Sequence, residues 1–140
     1  MDIEILQYFG LSLELIVLVI VVIINLVLGV AVYLNKPKNV TNKIFFSLGV
    51  FIVLWLIAAY IVRLPQFSSH ILFLQRLGIF FAAPISSLFY LLATTLPSDK
   101  LQISKKNKYL VLAATIIMMV LNISPYAFIG GELKNGVIAP

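Results

Sequence analysis

The sequence predicts an all-α integral membrane protein: a single domain over residues 1–140, built as a bundle of four transmembrane helices with its N-terminus outside. Three observations carry that prediction. The chain is 62% hydrophobic and 11% charged, whereas soluble domains lie nearer about half apolar and about a quarter charged. Its apolar residues fall into four long runs. Seven of its ten basic residues lie in alternate connections between those runs, the pattern of the positive-inside bias.

The first run, Leu11 to Leu34, is almost wholly Leu, Ile and Val and as a helix exceeds a hydrocarbon core of about 30 Å. Ser12 and Glu14 lie near its start, where an acid is tolerated, and Asn25 lies past its middle. Asp2 and Glu4 precede it, so it lacks the basic opening of a cleaved signal peptide and reads as a retained anchor. The second run, Ile44 to Val62, contains no charge; Thr41 is its expected N-cap, and Arg63 and Pro65 close it. The third, Ile71 to Leu96, carries Gln75 and Arg76 in its first turns. Pro84 within it removes a backbone donor and predicts a bend, and Pro97 predicts its stop. The fourth begins at Tyr109 and is short by Ile123, so crossing the bilayer calls for an extension through Ile129 past Pro125. Gly130, Gly131 and Gly136 predict an irregular tail.

Orientation follows from the cations. Lys36, Lys38 and Lys43 occupy the first connection, and Lys100, Lys105, Lys106 and Lys108 the third. The N-terminal tail has none, and the second connection is flanked only by Arg63 and Arg76. Connections one and three are therefore expected in the cytoplasm and the N-terminus outside, in a plasma (inner) membrane. The lysine clusters read as topology determinants in preference to a specific site for anionic lipid or a partner. They form no continuous basic stripe, so nucleic acid is not an expected partner.

Little in the chain points to catalysis. It has no cysteine and one histidine, His70, in a short loop, so neither a metal centre nor a cofactor is expected. Intramembrane ionisable groups would mark a working site. The candidates are Glu14 and Arg76, both expected near the outer interface. Each is read as snorkelling to water, with an ion pair or a ligand contact between the first and third helices as the functional alternative. Trp55 lies inside the second helix and reads as packing, with a polar cavity as the alternative. Asn25 and Asn122 read as interhelical hydrogen-bonding groups. Gly78, Ala82 and Ser86 recur every four residues along the third helix and predict a face for close helix packing.

Asn42, Phe45 and Trp55 in NKIFFSLGVFIVLW, followed by Arg76, Phe89 and Pro97 in LFLQRLGIFFAAPISSLFYLLATTLP, resemble the N-terminal seven-transmembrane region of some bacterial sensor histidine kinases. The resemblance spans roughly residues 20 to 125 and matches Asn42, Trp55, Arg76 and Pro97 to structural or signal-coupling positions. It implies a sensory, signal-transducing module of which this chain holds the first four helices, with further helices and any kinase part lying beyond Pro140. Partners are then the lipid bilayer and other transmembrane helices. The competing expectation is a small structural or accessory subunit that packs on a larger membrane complex through the Gly78 face.

Overall fold

The computed structural model describes residues 3–96, 103–124, 133–134 and 137–138, with side chains over residues 12–96 and 103–124. Four helices dominate: α1 (Ile3–Asn35), α2 (Val40–Ile61), α3 (Ile71–Thr95) and α4 (Lys105–Ile123), with a 3-10 turn (Pro65–His70) between α2 and α3. All four are long and apolar enough to cross a membrane.

The helix starts differ from those expected from hydropathy, and hydrogen-bonding caps explain why. Asn39 is the N-cap of α2: its backbone is extended, and its side chain accepts the Thr41 N–H at 2.8 Å. Thr41, the expected cap, therefore lies inside the first turn. Ser104 caps α4 in the same way, accepting the Asn107 N–H at 3.3 Å. The helix so begins at Lys105 and not at Tyr109. Its 19 residues rise about 28 Å, with the first turn lysine-rich and exposed. At the other end Ser124 has φ −57° and ψ 137°, the extended conformation favoured before a proline. The expected extension through Ile129 lies outside the described residues, as do Pro97 and Lys100.

Pro84 does not end α3: the helix continues through it, and the proline is buried. The 3-10 turn begins with Pro65 at its first position, where a missing N–H leaves nothing unpaired. Near the C-terminus β1 (Leu133–Lys134) pairs antiparallel with β2 (Val137–Ile138), a two-residue ladder where an irregular tail was expected.

Each helix packs on its neighbour in sequence, α1 on α2, α2 on α3 and α3 on α4. Among the described residues no comparable interface joins α1 to α3 or α4, or α2 to α4. The helices thus follow one another as an open row. Closure is not demanded where a helix is apolar all round, because lipid tails solvate such a surface as well as leucine does. The outer helix α1 leaves Leu13, Ile16, Ile20, Ile23 and Val27 exposed, and the buried apolar core is Leu48, Val53 and Ala58, all on α2.

Small residues set the helix spacing. A Cβ at Gly29 of α1 would meet the Phe46 ring of α2 at 3.4 Å, and one at Gly49 would meet the Asn25 carbonyl at 3.8 Å. Tyr33 and Phe46 stack at a 5.3 Å centroid separation beside that contact. Between α2 and α3 the close approach is Gly78 to Ala58, and between α3 and α4 a hydroxyl contact joins Ser87 to Thr115.

Polar groups within the spans mostly satisfy themselves locally. Asn25, expected to bond between helices, donates to the Val21 carbonyl one turn earlier at 3.0 Å. Thr95 and Thr115 donate to Leu92 and Val111 at 2.9 and 2.8 Å. Such back-bonding removes the penalty of a bare hydroxyl or amide in hydrocarbon.

Candidate functional site

The row has two chemically distinct ends, and the antiparallel pairing of neighbours creates them. Asn42 at the start of α2 meets the end of α1, while Arg63 just past α2 meets the start of α1. Gly78 early in α3 faces Ala58 late in α2, and Ser87 with Thr115 continues the alternation into α4. One end therefore gathers Lys36, Lys38, Lys43, Lys105, Lys106 and Lys108, all exposed. Four of these, Lys43, Lys105, Lys106 and Lys108, stand in the first turns of α2 and α4 and not in the loops assigned from hydropathy. The opposite end gathers Glu14, Arg63, Gln75 and Arg76.

At the lysine end Asn42 locks the α1–α2 turn. Its amide donates to the Val32 carbonyl at 2.7 Å and to the Lys36 carbonyl at 3.4 Å. The last carbonyls of a helix lack intrahelical donors, so Asn42 supplies α1 with a C-terminal cap from the next helix. This residue entered the sequence reading only through a family resemblance; its structural signal is an amide placed just after a tight Lys-Pro-Lys turn.

At the other end the Glu14 carboxylate takes a hydrogen-bonded ion pair from Arg63 Nη1 at 3.1 Å. The partner of Glu14 is Arg63, just past α2, the helix that packs on α1. Arg63 had been read only as a helix boundary. Glu14 and Arg63 lie at nearly equal distances along the chain from the 36–39 turn, and that symmetry is the signal that pairs them. Arg76 is half-buried in the early turns of α3. His70 meets Ser69, whose Oγ lies 2.7 Å from its Nδ1. No group of three or more His, Cys, Asp or Glu that could hold a metal occurs among the described residues.

Two grooves flank this end. One, about 300 Å³, runs between α1 and α2 and is lined by Glu14, Val17, Leu56, Tyr60 and Arg63 among others. The other, about 450 Å³, runs between α2 and α3 and is lined by Trp55, Val62, Arg63, Leu74, Gln75 and Gly78 with their neighbours. Both are open and mostly apolar, with a few polar groups at the rim. Arg63 borders both. Trp55 is 41% exposed: it faces the second groove and is not enclosed by packing.

The small-residue face of α3 divides between partners. Gly78 is buried against α2, Ala82 is half-buried, and Ser86 is exposed. Ser86 lines a groove of about 320 Å³ between α3 and α4 together with Ser87 and Tyr90.

The fold and these ends define a class: a protein of membrane location, made of four apolar helices arranged as an antiparallel row with a basic end and a mixed-charge end. No family model matches the chain, and neither a curated protein nor a solved structure matches it.

Proposed function

We propose that the chain is a non-enzymatic sensory module of the plasma (inner) membrane, with its N-terminus outside, that perceives an extracellular or membrane-borne cue and passes it to cytoplasmic parts as a change in helix packing. The observation that carries this reading is the pair of open grooves sharing Arg63 at the end away from the lysines. A site open to the membrane surface at one end, joined by rigid helices to a charged end opposite, has the layout of a signal-passing element. The positive-inside bias favours the lysine end as cytoplasmic. The resemblance of Asn42, Trp55, Arg76 and Pro97 to the membrane region of sensor histidine kinases supports the same reading on sequence grounds.

The accessory-subunit alternative is weakened by the fate of its docking face. Gly78, its first residue, is already occupied by α2, which leaves Ser86 alone fully available.

The test is an exchange. Residues 1–140 are replaced in the native gene by an unrelated four-helix anchor of the same orientation, and transcript profiles are compared with the wild-type and deletion strains. The exchange strain is expected to match the deletion. A wild-type profile would reduce the segment to an anchor. In the same cysteine-free background, single cysteines at Ser69 and Asn135 are expected to label with an impermeant thiol reagent from outside. Labelling at Asn39 would reverse the orientation.

A further inference from the structure

We propose that the α2–α3 groove binds an anionic amphiphile, its phosphate or carboxylate head held by Arg63 in exchange for Glu14 and its apolar chain lying along Trp55.

Depth within the membrane sorts the lining of the groove. The span of α2 ends at Ile61, so Arg63 stands at headgroup level. Trp55 lies about two turns, or roughly 12 Å, deeper along the same helix. Gln75 on α3 adds an amide to the rim, while Leu74, Ile79 and the side-chain-free Gly78 give an apolar wall. A charged head and an apolar tail match that gradient, the head at the level of Arg63 and the tail alongside Trp55 and Leu74.

The head is assigned by the guanidinium. Arginine offers five donors in a planar fork suited to phosphate or carboxylate, and Glu14 engages Arg63 through Nη1. That pair is loosely held, with the two side chains 63% and 46% exposed, and exposed ion pairs contribute little. Because Arg63 borders both grooves, an anion arriving on the α3 side competes with Glu14 for one cation. Binding would then release the outer end of α1 from α2. The proposal rests on the sensory reading for its meaning as a signal, and it names the cue as a lipid-like anion.

Trp55 is the sole tryptophan, so its emission reports on the site directly. The purified chain in zwitterionic phosphatidylcholine nanodiscs is titrated with hexadecyl phosphate and, as a match lacking the charge, hexadecanol; a parallel set of nanodiscs carries phosphatidylglycerol. A saturable emission change with hexadecyl phosphate and none with hexadecanol is expected. Arg63→Gln, checked for retained helicity by circular dichroism, is expected to weaken binding about tenfold, and Glu14→Gln to tighten it severalfold by removing the competitor. A change in the phosphatidylglycerol discs without added ligand assigns the head to resident lipid; a change only on titration assigns it to a free amphiphile. An equal response to hexadecanol in the unaltered protein, or binding indifferent to Arg63→Gln, overturns the site. Binding indifferent to Glu14→Gln overturns the exchange. These measurements on purified protein stand or fall apart from the strain exchange that tests the sensory reading.

Discussion

The two ends of the α1–α2 hairpin are held by opposite means. At the lysine end the helices are joined by sheltered, short-range contacts: the Asn42 amide on the Val32 carbonyl at 2.7 Å, Gly29 beneath Phe46, and the Tyr33–Phe46 ring pair. At the other end the contact among the described side chains is an exposed ion pair between Glu14 and Arg63, with an open groove on either side of the arginine. Contacts of the first kind depend on shape and on part-buried backbone groups, which water reaches less readily. An exposed pair can be exchanged for water or another ion at little cost. These contacts predict a fixed hinge at one end of the hairpin and an adjustable clasp at the other.

The comparison breaks first at Gly29. Replacing it with leucine drives a side chain into Phe46 at the closest approach between the helices. Overpacking of this kind costs about 1 to 3 kcal/mol. Gly29→Leu is expected to show the largest loss in an unfolding titration in mixed micelles followed by circular dichroism. A loss below that of the two substitutions considered next would mean that the hinge does not depend on this contact.

Asn42 is expected to rank second. Asn42→Ala removes both bonds, to the Val32 carbonyl of α1 and to the Lys36 carbonyl just past it, and a loss of about 1 kcal/mol is the scale for such a hydrogen bond. Asn42→Asp sharpens the test. A carboxylate has no N–H to offer and would face two carbonyl oxygens, so it should destabilise at least as much as alanine. An aspartate variant as stable as the native chain would show that the amide is not the cap.

The sequence made some of this legible and hid the rest for physical reasons. The four spans were readable because hydrocarbon thickness sets helix length directly. The starts of α2 and α4 were not, since Asn39 and Ser104 cap helices whose first turns are lysine-rich, and a hydropathy reading counts those turns as loop. The open row was also hidden: a helix as uniformly apolar as α1 carries no stripe that says which side meets protein. At the site, Glu14 and Trp55 stood out as a charge and an indole in apolar runs. Arg63 reads as a boundary in the sequence, because its role depends on which helix neighbours α1, and neighbour identity is a property of the row, not of any single segment.

The smallest effect on stability is expected at the clasp. Glu14→Gln removes the charge but keeps the shape, and the exposure of both partners limits the loss to about 0.5 kcal/mol or less. Its structural effect should be local and one-sided. Spin labels on cysteines introduced at Ser12 and Gln66, in the otherwise cysteine-free chain, are expected to report a broader distance distribution in the Glu14→Gln variant. A pair bracketing the turn, at Asn35 and Lys43, should be unchanged. If both pairs broadened together, the ion pair would be holding the whole hairpin and the two ends would not be mechanically distinct. If neither moved, Glu14 and Arg63 would be a surface decoration, and the division between hinge and clasp would rest on the grooves alone.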